Sequence, residues 1–516
     1  MRWLLGRSRR PESISGDSIR RNTAFMFAVQ LTTSAFTAVL TLYLVRALGP
    51  HGYGLFALAL AVGGLAMFPS DVGISGSASR FVAEHRDDRV TVARVLADAL
   101  RLKILAAGAT SIALFALAGP IASAYGESGL TWPLRGIAVS LFGESVLLLV
   151  AGSFVALGKV AWNLRVTFVE SLLEVTASIA FVIAGVGAAG AAFGRAVGYL
   201  CGVGFGVALI FWLLGHSLGG RRARTEGPAV LKTDGKTRQI LRYAVPLAIS
   251  DASWTLFTKI DAILIGALLT ATAVSFFSAP MRLITFLYYP AYSVAGGVAP
   301  TLARRAGEQP DSRPFVQASR YVLLFQAALV APLLVWAHPI TDLLLGPGYS
   351  KAATVLQALT PYVFLQGIAP LVAMGATYLG EGRRQMPIAV ATVLINFVLD
   401  LILLPRIGVV GAAIGTDVAF ALYVPAQFLI CRRRLRFPIR PLVSSVLRGA
   451  AAAAAMAAVL AAVGFRDLTL AEWFVGGIAG SCAFAAVLVL TREISAGELR
   501  VAWGLLMRRP AGQAES

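Results

Sequence analysis

The sequence of 516 residues is 57% hydrophobic and 14% charged, and its formal net charge is +19. Soluble globular proteins carry about 25% charged residues, so this composition excludes a soluble fold with a solvated surface. The excess positive charge lies in short loops between apolar segments. There it indicates membrane topology and attraction to anionic lipids rather than binding of nucleic acid.

Apolar segments of membrane-spanning length follow one another along the whole chain. A helix of roughly 20 mostly apolar residues crosses the hydrocarbon core of a bilayer. The sequence therefore predicts an all-α polytopic membrane protein with about 14 transmembrane helices. The predicted spans are 22–45, 52–75, 95–117, 134–157, 166–186, 190–214, 240–266, 272–301, 318–337, 353–379, 386–404, 409–430, 444–464 and 471–491.

Lys and Arg residues are distributed unequally between alternate loops. Of the 45 such residues, 37 lie in the two terminal tails, in every second gap between spans and at the helix edges beside those gaps. Positively charged loops remain on the cytoplasmic side, so we expect a multi-pass protein of the inner (cytoplasmic) membrane with both termini in the cytoplasm. The cations assigned to outward gaps and helix edges are Arg46, Arg135, Arg195, Lys351, Arg406 and Arg466.

An internal repeat divides the predicted helices into two groups. Residues 187–194 match residues 408–415 at an offset of 221 (Gly187 to Gly408), and residues 52–57 relate to 272–277 at a similar offset. This pattern predicts two six-helix lobes of the same orientation, related by an axis along the membrane normal. The predicted regions are a first lobe (1–215), a basic cytoplasmic linker (216–239), a second lobe (240–431), two appended helices (432–491) and a cytoplasmic tail (492–516).

Cations inside the spans are the first candidate functional groups, because a charge at the centre of a membrane helix costs about 2.5–3.5 kcal/mol. Lys259 and Arg282 lie within the seventh and eighth predicted spans. Together they could form a positive site for a phosphate-bearing substrate, since a guanidinium offers phosphate oxygens a planar fork. The alternative is that Lys259 extends toward the outer surface and Arg282 pairs with Asp261.

Carboxylates inside the spans are candidates for ion coupling or gating. Glu170 and Glu174 are four residues apart, so they share one helix face and could bind a cation or proton or contact Arg165. Asp261, Asp400 and Asp417 are further candidates for this role. Asp71 and Arg80 flank the cytoplasmic end of the second span, where we predict a helix cap and a salt bridge.

Signatures of catalysis and of resident metal ions are missing from the sequence. The four His and three Cys residues lack metal-ligand or catalytic-triad spacing, and the sequence contains no phosphate-binding P-loop motif. The sequence therefore predicts a transporter rather than an enzyme, without a cofactor. Its driving force would be a Na⁺ or H⁺ gradient or the gradient of the substrate itself.

Several motifs resemble those of polysaccharide or oligosaccharide flippases. The run Leu48–Ala57, followed by Asp71–Ser75 and Arg80–Glu84, is similar to the opening of these proteins. Lys259–Gly266 resembles their seventh helix, and residues 396–400 with 404–413 resemble their eleventh and twelfth helices. Residues 15–435 are thereby identified with the multidrug/oligosaccharidyl-lipid/polysaccharide exporter superfamily.

The resemblance implies two lobes around a central cavity that moves undecaprenyl-diphosphate-linked oligosaccharide by alternating access, for cell-surface polysaccharide biosynthesis. Membrane lipids, glycosyltransferases and a glycan polymerase are the implied partners. Cations in such cavities meet the diphosphate, which favours Arg282 and Lys259 and places Arg20 and Arg21 at the cavity mouth. The alternatives are a multidrug cation antiporter of the same superfamily and a membrane glycan polymerase or ligase.

Overall fold

The computed structural model describes residues 19–86, 88–218, 255–302, 311–466 and 468–494, with the side chains of 19–20, 214–218 and 300 left out. These ranges form sixteen α-helices and contain no strand. The helices are α1 (Ile19–Asp71), α2 (Ile74–Glu84), α3 (Arg89–Ala124), α4 (Thr131–Ala156), α5 (Val160–Ile183), α6 (Gly187–Leu218), α7 (255–268), α8 (Ala271–Val298), α9 (Arg313–Val335), α10 (Ala337–Leu344), α11 (Ser350–Ala358), α12 (Thr360–Tyr378), α13 (Gly382–Ile407), α14 (Val409–Leu435), α15 (Arg440–Val463) and α16 (Leu470–Leu490).

The described helices account for thirteen of the predicted spans and for the part of the seventh that begins at residue 255. Eleven of them are long and apolar enough to cross a membrane, and α11 with α12 form a twelfth span that is bent by 58°. Helix α1 contains the first two predicted spans, and α7 is the described part of the seventh. The all-α polytopic fold predicted from the sequence is therefore confirmed.

Two spans differ in shape from the prediction. The loop expected at residues 46–51 is only a kink inside α1, where Gly49 has φ +65° and Pro50 begins the following helical segment. Glycine adopts this left-handed conformation without steric cost, so a single residue redirects the chain. The tenth span breaks at Leu359, between α11 and α12, because Pro361 has no backbone N–H to continue the hydrogen bonds of α11 and its ring disfavours a continuous helix.

The chain forms two compact units, Met1–Ser278 and Ala279–Ser516, and the division falls within α8. Most of the predicted linker, at 219–239, and the tail beyond residue 494 lie outside the described residues. The division into the predicted sequence regions therefore stays a prediction.

In the first unit, α6 packs closely on α5 through a row of small residues. The row consists of Gly190, Gly194, Gly198 and Gly202, one on each successive turn of α6. A Cβ on Gly198 would lie 2.6 Å from the Cβ of Glu174, and one on Gly202 would lie 2.8 Å from the Cβ of Glu170. Glycines at these positions let the two backbones approach, and they bring the face of α5 with its two acids against α6.

The second unit repeats this hairpin with α13 and α14. Gly187 and Gly408, which are equivalent in the sequence repeat, both have positive φ, +61° and +65°, and both precede or begin the second helix of their hairpin. Gly194 packs against Ser178 of α5, and its equivalent Gly415 packs against Asp400 of α13. The repeat found in the sequence thus corresponds to two hairpins with the same internal packing.

A buried carboxylate attaches the last two helices to the rest of the second unit. Glu493, just after α16, accepts hydrogen bonds from Arg320 of α9 (2.7 Å), Arg448 of α15 (2.8 Å) and Ser445 of α15 (2.5 Å). Burial by itself raises the pKa of a carboxyl group, but these hydrogen bonds outweigh burial and hold the pKa of Glu493 below its usual range. The carboxylate therefore remains ionised and joins three helices.

Candidate functional site

A cluster of charged residues lies inside the first unit, centred on Arg195 of α6. One guanidinium nitrogen donates to Glu174 of α5 at 2.7 Å, and the other donates to Glu144 of α4 at 3.1 Å and to the Tyr199 hydroxyl at 2.9 Å. The guanidinium carbon also lies 4.6 Å from the centre of the Tyr199 ring. Three helices are thus joined by one cation, whose charge two carboxylates neutralise.

Glu170 lies one helical turn from Glu174 on the same face of α5, as the spacing predicted. Its side chain is buried, and it accepts a hydrogen bond from the Ser171 hydroxyl at 2.9 Å. Glu174 pairs with Arg195, whereas Arg165 stacks on Trp162 at 4.5 Å. The partner of Glu174 is therefore Arg195, which the sequence predicts at an outward helix edge, and not the alternative Arg165.

Arg195 lies deeper than that assignment allowed. It is eight residues after the first residue of α6, about 12 Å along the helix at a rise of 1.5 Å per residue. Counting charges by gap missed this depth because α6 begins at Gly187, before the predicted start of the span at residue 190.

A second buried ion pair, between Lys103 and Asp71, was also missed by counting charges by gap. Lys103 of α3 is fully buried, and its ammonium group binds the Asp71 carboxylate and donates to the Ser75 hydroxyl at 2.9 Å. Asp71 also accepts from the Ser75 hydroxyl (2.6 Å) and amide (3.2 Å) at the start of α2, so the predicted cap is confirmed. Lys103 had been counted with the cytoplasmic loop although it lies within the third predicted span, 95–117.

The predicted cation Lys259 belongs to the first unit. Its side chain, on α7, runs across Gly64 of α1, where a Cβ would lie 2.9 Å from the Lys259 Cε. Asp261, two residues further along α7, is 3% exposed. Glycine at position 64 therefore provides the space that the lysine side chain occupies.

The predicted cation Arg282 belongs to the second unit. It lies eleven residues after the first residue of α8, about 17 Å along the helix, and its side chain is partly buried. Arg282 forms no ion pair and no hydrogen bond with any residue that the structure describes. Further along α8, Tyr288 lies 6.4 Å from Tyr289 and 5.6 Å from Tyr292 between ring centres. The helix thus combines a cation with a group of aromatic rings.

Asp400 and its neighbours form a polar group within the hairpin of α13 and α14. Asn396, Asp400 and Thr416 are each 0% exposed. A Cβ on Gly415 would lie 2.5 Å from Oδ1 of Asp400 and 3.4 Å from Nδ2 of Asn396, so both side chains converge on one point. Asn396 was noted in the sequence only as part of a family motif, because periodicity alone does not show that a polar side chain is buried.

The remaining predicted residues lie elsewhere. Asp417 accepts a hydrogen bond from the backbone N–H of Tyr362 at 2.8 Å and so caps the first turn of α12, beside the bend. Arg21 is exposed and lies 5.6 Å from the centre of the Phe25 ring. Arg20 is helical, but its side chain lies outside the described residues. The structure thus brings Glu174 of α5 together with Arg195.

A family model described as polysaccharide biosynthesis protein matches residues 19–304, which is more than half of the chain. The chain belongs to this family. A second model, MatE, matches residues 246–402. The resemblance to polysaccharide flippases of the multidrug/oligosaccharidyl-lipid/polysaccharide exporter superfamily is thereby confirmed.

Two similar proteins come from Haloferax volcanii. The probable low-salt glycan biosynthesis flippase Agl15 is 20% identical over 469 residues, covering 88% of this chain and 92% of the relative. The probable flippase AglR is 24% identical over 417 residues, covering 78% of this chain and 81% of the relative. The likeness therefore extends over more than three quarters of this chain and of each relative.

Solved structures share the fold. The lipid II flippase MurJ in an inward closed conformation superposes with a TM-score of 0.73 at 13% identity, covering 91% of this chain and 99% of MurJ. An inward-facing multidrug resistance MATE family transporter of the MOP superfamily gives a TM-score of 0.63 at 15% identity, covering 78% and 94%. These neighbours agree with an all-helical, multi-pass transporter fold.

Proposed function

We propose that this chain translocates a lipid-diphosphate-linked oligosaccharide across the cytoplasmic membrane by alternating access, for cell-surface polysaccharide biosynthesis. Undecaprenyl diphosphate is the proposed lipid carrier, and glycosyltransferases and a glycan polymerase are the proposed partners. Both termini would lie in the cytoplasm, as the distribution of Lys and Arg predicts. The observation that carries the proposal is that Arg282, a cation inside a membrane span, has no ion-pair or hydrogen-bond partner among the described residues.

The cations inside the spans fall into two kinds. Lys103 and Arg195 are neutralised by carboxylates of their own unit, so neither has charge to offer a substrate. Arg282, at the middle of α8, forms no such pair among the described residues. A cation kept in a membrane span is costly unless it meets a counter-charge, and a diphosphate supplies that charge in bidentate geometry.

The tyrosines of α8 support a glycan as the rest of the substrate. Tyr289 is seven residues, two helical turns, after Arg282 and so lies on the same face of α8. A tyrosine ring offers an apolar face together with a hydroxyl that can form hydrogen bonds. The names of the two Haloferax relatives, which are both probable flippases, support the same substrate class.

The test is replacement of Arg282 in a strain that depends on this chain for surface glycan. We expect Arg282→Ala to reduce export of the glycan at least tenfold at unchanged protein abundance, because a charge-assisted bidentate contact contributes about 1.5–3 kcal/mol. Arg282→Lys keeps the charge but not the fork, so its export should be intermediate. Surface glycan is measured by immunoblot, together with the lipid-linked precursor that accumulates inside.

Lys351→Ala is the matched control, because Lys351 is an exposed cation at the start of α11. Its export should equal that of the wild type. Normal export by Arg282→Ala would overturn the role of Arg282 in substrate binding.

The match to the MatE model favours one alternative, an antiporter of organic cations. Such a protein needs acids that are free to bind the drug, whereas Glu144 and Glu174 are paired with Arg195. Protection of cells against ethidium by this chain, without any effect on glycan export, would favour the antiporter.

A further inference from the structure

A four-residue motif, Trp-x-Leu-Arg, occurs twice in the sequence, and both copies lie in the first unit. The first copy is Trp132–Arg135 near the start of α4, and the second is Trp162–Arg165 near the start of α5. Residues three apart are neighbours on one face of a helix. In each copy the arginine stacks on its own tryptophan, with the guanidinium carbon 4.8 Å from the ring centre in the first and 4.5 Å in the second. The same local arrangement thus forms twice.

A neighbouring helix adds an aromatic ring to each copy. The ring centre of Phe115, on α3, lies 5.2 Å from the guanidinium carbon of Arg135. At the second copy, the ring of Trp212, on α6, lies 5.5 Å from that of Trp162 between centres. Trp132 and Trp212 are about half exposed, at 57% and 49%. Exposed tryptophans are typical of the boundary between membrane and water, so both copies have the aromatic surroundings of that boundary.

The two copies lie on opposite sides of the membrane. Because α4 and α5 are consecutive spans, they begin on opposite sides. Arg135 is four residues after the first residue of α4 and Arg165 is five after that of α5, about 6 Å and 8 Å along the helix. Side chains on a helix point toward its start, so each guanidinium extends toward the nearer membrane surface. Arg135 therefore reaches the outer headgroups and Arg165 the inner headgroups on the predicted topology.

These two arginines differ from other stacked arginines in having no acidic partner. Arg195 and Arg320 also stack on tyrosine rings, but both are paired with carboxylates. Arg135 and Arg165 form no ion pair and no hydrogen bond with any residue in the described ranges. The Nε of Arg135 is buried, and no acceptor for it exists in that part of the chain. Both charges are therefore left for a group outside the protein to neutralise.

The position of each arginine in its helix also favours an anion. The dipole of a helix favours negative charge at its start and positive charge at its end. Arg406 and Arg433 lie in the last turns of α13 and α14, where a cation is favourable. The first turns of α4 and α5 contain no acid, so the charge of each motif adds to the positive end of its helix. Such a combination is a binding site for a phosphate group.

We propose that each Trp-x-Leu-Arg motif binds the phosphate of an anionic phospholipid, one in each leaflet of the membrane. Stacking fixes the plane of the guanidinium, whose nitrogens then meet two phosphate oxygens. The exposed tryptophan ring offers an apolar face to the lipid chains beside the phosphate. A lipid of net negative charge is favoured over a zwitterionic one, because the latter brings its own ammonium group to the phosphate. The inference concerns resident membrane lipids and does not depend on the transported substrate.

The experiment measures lipid binding to the purified full-length protein in detergent, without any glycan. Phosphatidylglycerol is titrated in, the bound lipids are counted by native mass spectrometry, and thermal unfolding is followed in parallel. We expect saturable binding and a melting temperature that rises with occupancy. Arg135→Gln and Arg165→Gln should each weaken binding of one lipid by about tenfold or more, which corresponds to about 1.4 kcal/mol. The double variant should lose both lipids.

Further variants separate lipid binding from folding. Arg135→Lys keeps the charge but neither the fork nor the stacking, so its affinity should lie between those of the wild type and Arg135→Gln. Without added lipid, the Gln variants should melt at the temperature of the wild type. Arg406→Gln and Arg433→Gln are the matched controls, because each removes an exposed cation from the favourable end of a helix. Both should bind as many lipids as the wild type.

The inference is overturned if the double variant Arg135→Gln with Arg165→Gln retains both lipids, or if the control variants lose as many. It is also overturned if phosphatidylcholine binds as tightly as phosphatidylglycerol, or if inorganic phosphate displaces the lipids at equal concentration. Tighter binding of undecaprenyl phosphate than of phosphatidylglycerol would likewise contradict a phospholipid as the occupant. Since the assay contains no glycan and measures no transport, none of these outcomes bears on the role proposed for Arg282.

Discussion

Lys103 is fully buried in α3, and its partner Asp71 is 20% exposed. Removing one partner of a buried pair leaves a charge without compensation, which costs about 3–5 kcal/mol. We therefore expect Lys103→Met to lower the melting temperature of the purified protein strongly, as measured by thermal unfolding in detergent.

The exposed pair of Arg80 and Glu84, 2.8 Å apart, is the control for this change. Arg80→Met should cost less than about 1 kcal/mol, since exposed ion pairs contribute little. The double variant Lys103→Met with Asp71→Asn should recover most of the lost stability because it leaves no unpaired charge. A double variant as unstable as Lys103→Met alone would show that packing, and not charge, explains the effect.

The environment of a charged residue was predicted correctly only where its position in the sequence also indicates its depth in the helix bundle. Glu170 and Glu174 were recognised because their spacing places them on one face of a long apolar helix. Lys103 was counted with a cytoplasmic loop and Arg195 with an outward helix edge, because counting by gap measures distance along the chain from a polar segment and not depth in the bundle. Their partners, Asp71 and Glu144, lie on other helices, and no local pattern connects such residues.

At the level of helices, the α5–α6 hairpin depends on the absence of side chains at the glycines of α6. A Cβ on Gly194 would overlap the backbone of Ser178, so the two helices would have to separate. Overpacking of this kind costs about 1–3 kcal/mol. We expect Gly194→Val to lower the melting temperature and the yield of folded protein, as measured by size-exclusion chromatography.

Gly204 lies on the same helix but outside this row, and a Cβ there would meet nothing within 4 Å. Gly204→Val is therefore the matched control and should leave both measurements unchanged. Equal behaviour of the two variants would contradict close packing as the role of the row.

The helices themselves were largely predictable, and their directions were not. Apolar length alone located thirteen spans among the described residues, and residues 255–268 belong to the remaining one, since burial in lipid requires such length. The kink at Gly49 and the 58° bend before α12 were missed because hydropathy measures composition, whereas a bend depends on φ at one glycine or on a proline and its cap. The sequence also did not predict that Asn396 and Asp400 converge near Gly415, because this convergence depends on how closely α13 packs against α14.

For the whole molecule, the repeat and the distribution of positive charge make one joint prediction about orientation. Six helices per lobe return the chain to its starting side, so equivalent loops of the two units should face the same side of the membrane. Ser128, before α4, and Ser350, at the start of α11, are exposed residues in equivalent loops that are predicted to face outward. An inverted repeat would place them on opposite sides.

Cysteine labelling distinguishes these arrangements. In a background in which Cys201, Cys431 and Cys482 are replaced by Ser, we expect Ser128→Cys and Ser350→Cys to react with an impermeant maleimide in intact cells. Ala83→Cys, in the exposed part of α2 near the basic segment, should react only after permeabilisation. Labelling of only one of the two serine positions in intact cells would contradict the parallel repeat.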